Sequence, residues 1–307
     1  MTDTATGFRG IVPYLVSPID PDTGEVDEAA LRALVAHLVE VGVHGISPLG
    51  STGEVMLLDG DQRRRVVEIC VDEAAGRIPV IPGVSSASTR AACIEAERFA
   101  DLGANGLIAI RENAYPVNDA GIGDFFAAVA TSVELPIVLY TNPGLLGADI
   151  SAAVLDRLLE IDNVRYLKDA SGVTGRILSV INRHGDRLGV FSASAHIPVL
   201  VFQLGGIGWM AGPACVIPEA SLLLYELSQA GRWDDAMALQ RRAWPLNELF
   251  TKYGLGPCVK AALEVSGFAV GPPIAPTQAL GEAPRAQLRA VLGDIAEAVD
   301  QLKEISS

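Results

Sequence analysis

Short apolar runs alternate with amphipathic stretches along most of the chain. Eight of the runs read as strands, over residues 10–16, 45–49, 79–84, 106–110, 136–140, 164–168, 188–192 and 206–210. Most are continuously apolar, which suits a parallel sheet covered on its outer face. Helical spacing recurs between them. Asp27 is placed to cap a helix carrying Leu31, Leu34, Val35 and Leu38 on one face, with Gly42 to end it. Ser88 is placed to cap a stretch reaching Leu102 and stopping at Gly103, and Ser151 to cap 152–161. Strands alternating with helices predict right-handed βαβ units. Eight such units predict an α/β fold of the (β/α)8 barrel (TIM barrel) type.

After Pro218 the strand pattern stops. Residues 219–231, 233–253, 257–267 and 285–305 read as helices, and the Pro-rich 270–276 as extended chain. The expected division is a barrel over 1–225 and a C-terminal helical extension over 226–307 packed on it. No linker is long or polar enough to separate independent domains.

Composition narrows the function classes. Half of the 307 residues are hydrophobic, so a sizeable core is available. No uncharged run reaches the roughly 20 residues of a bilayer span. The first ten residues are polar, and a cytoplasmic protein without a membrane partner is expected. The formal net charge is -14. The one basic run, Arg63 to Arg65, is ringed by Asp59, Asp61, Glu68 and Asp72 and reads as a solvated helix face, so no nucleic-acid partner is expected. The four cysteines and four histidines show neither C-x-x-C nor metal-ligand spacing. Free thiols, no metal and no separate cofactor are the expectation.

Candidate chemistry gathers at strand ends. Lys168 closes the apolar run Val164-Arg165-Tyr166-Leu167 and is followed by Asp-Ala-Ser-Gly. That is where a barrel places catalytic residues. Burial would lower the lysine pKa and leave an amine able to condense with a ketone. The resulting iminium would act as an electron sink. The same segment also reads as a lysine at a strand end paired to Asp169.

Gly50-Ser51-Thr52-Gly53-Glu54 follows the 45–49 strand and reads as a loop at the same face. Its hydroxyls and backbone N–H groups suit a carboxylate, although it also reads as an ordinary turn. Glu54 is expected to hold backbone donors of that loop. Tyr140 ends the 136–140 strand, either as a proton relay or as a core tyrosine. Gly206-Ile207-Gly208-Trp209-Met210-Ala211 matches a loose dinucleotide fingerprint, but it begins a strand instead of opening a helix. Close packing of the last strand is the expected use of these glycines.

Taken in order, Gly-Ser-Thr-Gly-Glu, Tyr-x-Asn-Pro and Leu-Lys-Asp-Ala-Ser-Gly resemble the dihydrodipicolinate synthase/N-acetylneuraminate lyase family of class I aldolases. The resemblance runs over nearly the whole chain. It implies Lys168 as the Schiff-base lysine, Tyr140 as proton shuttle and Ser51 as its relay partner. It also implies Thr52 and the Gly50 loop as the carboxylate grip, with Gly206 and Met210 lining the pocket, in a homotetramer built from tight dimers.

The chain departs from the synthase pattern at four places. Leu145 stands where an arginine would grip the second substrate. Asn113 stands where a tyrosine would relay protons, with Tyr115 nearby. Ser192-Ala193-Ser194-Ala195-His196 replaces Gly-x-Asp, and Cys215 an asparagine. Arg111, Glu112, Asn113, Ser194 and His196 are therefore the candidates to read a different second substrate. The same residues leave a second reading open, in which His196 is structural and Arg111 pairs with Glu112. The leading expectation is a lyase, aldolase or dehydratase, acting on a small-molecule 2-oxo acid and yielding or using pyruvate. The alternatives are 4-hydroxy-tetrahydrodipicolinate synthase and a non-catalytic 2-oxo acid binding protein.

Overall fold

The computed structural model describes residues 7–146 and 149–306. Seven parallel strands form one sheet: β1 (Gly10–Pro13), β2 (Gly83–Ser86), β3 (Leu107–Arg111), β4 (Ile137–Thr141), β5 (Val164–Asp169), β6 (Gly189–Ser192) and β7 (Gly208–Ala211). Their order is β1-β7-β6-β5-β4-β3-β2.

The eighth expected strand, 45–49, is a stave without a regular ladder. It bridges β1 through Tyr14 and Ser47 and the 80–82 segment through Ile46 and Val80, both in parallel. The hydrogen bonds from Ser47 N to Pro13 O (2.9 Å) and from Ile81 N to Ile46 O (2.9 Å) close the ring. Prolines explain the irregularity. Pro13, Pro48, Pro79 and Pro82 have no N–H to donate, so neither the stave nor the start of the neighbouring run can form a full ladder. For the same reason β2 begins at Gly83 instead of residue 79.

The helix caps follow the sequence closely. The Asp27 side chain accepts from Ala30 N, Ser88 from Ala91 N and Ser151 from Val154 N. Gly42 takes φ 89° and accepts the left-handed turn that ends its helix. The helix after Ser151 stops at Leu158, short of the expected 161. Beyond β7, helices span Pro218–Gln229, Trp233–Tyr253, Leu255–Val265 and Glu282–Ser306. Residue 225, chosen as the domain boundary, falls inside the first of these. Among the described residues no helix is long and apolar enough to cross a membrane.

The basic run is only partly a solvated face. Arg64 and Arg65 pair with Glu68, and Arg65 also with Glu28. Arg63 turns inward instead, donating to Ser85 O at 2.8 Å and meeting Glu95 at 3.3 Å. The loose dinucleotide fingerprint is a strand. A Cβ at Gly208 would fall 2.2 Å from Gly10 O, so glycine is what lets β7 lie against β1.

Inside the barrel, Val12, Ile108, Val138, Phe191 and Met210 form an apolar plug with Tyr14 and Tyr140. Lys168 is 2% exposed and rises from β5 in register with Tyr140 on β4.

Candidate active site

Alternation along β5 puts Tyr166 and Lys168 on one face and Leu167 on the other. The same alternation along β4 puts Val138 and Tyr140 inward. The Lys168 Nζ therefore lies between two phenol rings, 3.8 Å from the centroid of Tyr14 and 3.9 Å from that of Tyr140. No carboxylate pairs with it among the described residues, and Asp169 turns to other partners. Burial without a counter-charge holds the amine well below the usual lysine range. The structure thus does not support a strand-end lysine paired to Asp169.

Burial raises the Tyr140 phenol above its ordinary range, and the Asn142 and Ser51 side chains act against the rise. Asn142 Nδ2 donates to Tyr140 Oη at 2.7 Å. Burial raises the Tyr14 phenol as well, and Tyr140 adds to this. Ser47 opposes it weakly, since neither the Tyr14 nor the Ser47 hydroxyl completes a hydrogen bond among the described residues. Both phenols are therefore neutral near pH 7 and hold protons to give.

A cavity of about 230 Å³ opens over Lys168. Ser51, Tyr140, Asn142, Ala193 and Ser194 contribute to its wall, and Asn247, Phe250, Thr251 and Leu255 of the helical extension face them. A second cavity of about 330 Å³ shares Ser51, Tyr140, Asn142 and Leu255 with the first. Thr52 is fully buried, and its hydroxyl has no hydrogen-bond partner among the described residues. That is an unused polar atom in the loop that supplies Ser51. Gly50 is buried against the Tyr14 ring, where a Cβ would lie 3.1 Å from it.

Other expected residues lie elsewhere. Gly206 sits at the N-terminal end of β7, where a Cβ would fall 2.5 Å from Val201 Cγ1, so it packs on a neighbouring helix. Met210 is fully buried in the plug. Arg111 lines neither cavity, because its guanidinium donates to Glu112 O (3.1 Å) and Asn113 Oδ1 (3.2 Å). Glu112 does not pair with it, since its carboxylate accepts from Ser85 Oγ at 2.9 Å. Asn113 and Tyr115 are exposed. The side chain of Leu145 lies outside the described residues. Cys215 is buried, and burial pushes its thiol up to about 12.

His196 takes the structural part. Its Nε2 lies 3.1 Å from Asp169 Oδ1, and Asp169 also accepts from Ser171 and from Arg176 Nε at 2.7 Å. Burial pushes the Asp169 carboxyl up, but the His196 and Ser171 hydrogen bonds and the Arg176 charge outweigh it and hold it below the usual range. This network fixes the end of β5 one residue past Lys168.

Glu54 holds a different partner from the one expected. Its Oε1 accepts from Ile274 N at 2.9 Å, and its Oε2 lies 2.8 Å from Lys260 Nζ. It ties the Ser51 loop to the helical extension, not to its own backbone. Tyr14 and Asn142 were not singled out from the sequence. In the structure Tyr14 follows directly on β1, whereas the sequence pattern runs the strand on to residue 16 and gives Tyr14 no strand-end position.

Comparisons with known proteins agree with this geometry. The model of the dihydrodipicolinate synthetase family matches residues 7–295. A 4-hydroxy-tetrahydrodipicolinate synthase of Methanospirillum hungatei is 32% identical over 93% of this chain and 98% of its own length. One from Halorhodospira halophila is 35% identical over 94% of this chain and 97% of its own length. The crystal structure of a chloride-inhibited dihydrodipicolinate synthase from Acinetobacter baumannii, complexed with pyruvate, superposes with TM-score 0.87. It is 29% identical and covers 95% of this chain and 99% of that one.

Proposed function

The chain belongs to the dihydrodipicolinate synthetase family of class I, Schiff-base-forming lyases, and from that premise we propose that it holds a 2-oxo acid, pyruvate first, as an imine on Lys168 and joins it to an aldehyde. The observation that carries the reading is the buried, unpaired Lys168 amine between two protonated phenols. In its neutral form, which burial favours, the amine attacks the oxo carbon. The adduct loses its hydroxyl to give an iminium, which acidifies the adjacent C–H; that proton leaves with the hydroxyl as water, and an enamine remains. The enamine carbon then attacks the aldehyde. Tyr140 gives its proton to the new alkoxide, with Ser51 and Asn142 at the phenol to orient it. Water hydrolyses the iminium, returning the amine and a proton that restores the Tyr140 phenol. Run backwards, the same steps cleave a 4-hydroxy-2-oxo acid. The Thr52 hydroxyl and the loop N–H groups are the proposed grip for the substrate carboxylate.

The relatives favour the narrower synthase alternative over the general aldolase or dehydratase reading, since most of those compared, including the two named above, are 4-hydroxy-tetrahydrodipicolinate synthases. Its test is condensation of pyruvate with aspartate semialdehyde. Product that disappears with Lys168→Ala supports the synthase reading, and no product at high enzyme concentration removes it. A second reading keeps the imine but changes the acceptor. It is favoured by one observation: Arg111, the candidate cation, lines neither cavity and donates to Glu112 O and Asn113 Oδ1. A non-catalytic binder is disfavoured by the depressed amine, which binding alone does not require. A homotetramer in the cytoplasm is the proposed physiological form, to be checked by sedimentation of the purified protein.

A further inference from the structure

Resting on the imine step proposed above, we infer that Tyr14 is a further catalytic residue: the face of its ring stabilises the positive charge that the Lys168 nitrogen takes on as an iminium. The Nζ lies 3.8 Å from the centroid of that ring. A cation within about 6 Å of a ring centroid is drawn to the electron-rich face, and the attraction grows when water is excluded. Tyr14 is 1% exposed and Lys168 2%, so the contact is dry and lies inside a single barrel.

The sequence builds a seat for the ring. Tyr14 follows directly on β1, bridges to Ser47 and donates its backbone N–H to Ala211 O at 3.1 Å. Val12, two residues earlier, belongs to the same apolar plug, so alternation turns both side chains inward. At Gly50 a Cβ would crowd the ring, 3.1 Å from two of its carbons. Tyr14 lines neither of the cavities that Ser51 and Tyr140 share. It meets the chemistry at the nitrogen, not at the substrate's tail.

Burial penalises an iminium as it penalises an ammonium. A carboxylate beside Nζ would relieve the first but would also hold the resting amine protonated. Ring faces separate the two. An ammonium carries three N–H donors, and the protonated imine carries one. Nζ makes no hydrogen bond or ion pair among the described residues, only the two ring contacts. The ammonium therefore leaves three donors unpaired there and the iminium one, while both gain the attraction of the faces. In the step itself the C–O bond of the adduct breaks, and the hydroxyl leaves with its electron pair. The nitrogen lone pair becomes the second C–N bond. Tyr14 neither gives nor takes an atom.

The test reads the pyruvate concentration that half-saturates the borohydride-trapped adduct on Lys168, at a pH where the amine is neutral. The Tyr14 hydroxyl has no hydrogen-bond partner among the described residues. Tyr14→Phe keeps the face and should trap within about twofold of the wild type. Replacing Tyr14 by mono-, di- and trifluorophenylalanine weakens the face at nearly constant shape. The half-saturating concentration should climb at each step and reach ~10-fold above that of Tyr14→Phe, the scale of a desolvated cation–π contact. A packing role alone would not follow that series. Fluorinated rings that trap like Tyr14→Phe overturn the inference, and so does a collapse at Tyr14→Phe, which would give the role to the hydroxyl. A wild-type adduct with either result overturns only the role of Tyr14. No wild-type adduct overturns the imine reading and the inference with it.

Discussion

Lys168 and Tyr140 face each other across β4 and β5, with the amine 3.9 Å from the centroid of the phenol ring. The parallel register holds them together, so neither depends on a mobile loop for its position. In the proposed mechanism Tyr140 serves proton transfer and Lys168 the covalent work. Tyr140→Phe should leave pyruvate trapping on Lys168 intact while lowering kcat by about 10²–10⁴-fold, the usual worth of a positioned acid or base. Steady-state kinetics beside mass spectrometry of the reduced adduct checks both halves.

The depressed Lys168 amine has a cost in stability. Its folded pKa lies below the unfolded value, so between the two the unfolded chain binds the extra proton and stability rises with pH. Lys168→Met removes the penalty. The variant should melt higher than the wild type near neutral pH, and the gap should close as the pH approaches 10. The initial rate of imine formation in the wild type should fall with acidity, with a midpoint below the usual lysine range.

Asp169 behaves in the opposite sense. Its folded pKa is lowered, so its contribution is complete above the ordinary aspartate range and is lost as the pH falls through the folded value. Asp169→Asn should flatten the acid limb of the stability curve, read as urea midpoints between pH 2 and pH 5. A limb as steep as that of the wild type would show that the His196 and Arg176 contacts do not stabilise the carboxylate.

Glu54 and Lys260 form a buried pair, and removing one partner strands the other. Glu54→Gln should destabilise the fold by about 3–5 kcal/mol, with much of the loss regained in a Glu54→Gln, Lys260→Met double variant. Because Glu54 anchors the Ser51 loop to the 272–274 segment, the single variant should also raise KM. Chemical denaturation and kinetics of the three proteins read both effects.

The barrel was legible because its strands are continuous apolar runs and its helices carry caps such as Asp27 and Ser88. The stave at 45–49 was harder to place. A hydropathy pattern does not register that Pro13, Pro48 and Pro82 remove ladder donors. Lys168 and Tyr140 could be found because both close a strand. Tyr14 lies inside the apolar run 10–16, and no motif drew attention to it. Long-range pairings left no trace. Nothing local to Glu54 points to Lys260, and nothing near Arg111 shows that it spends its donors on Glu112 O and Asn113. For Gly206 the sequence left two uses open, packing of the last strand and lining of the pocket, and the pattern does not say which.

The central claim is that Lys168 is a nucleophile. The direct measurement is to incubate the purified protein with pyruvate, reduce with borohydride, and map the modified peptide by mass, with Lys168→Ala in parallel. The account predicts a single reduced adduct on Lys168 that is absent from the variant. A folded wild-type protein that gains no adduct with pyruvate or with larger 2-oxo acids, or that gains one on another residue, would contradict it.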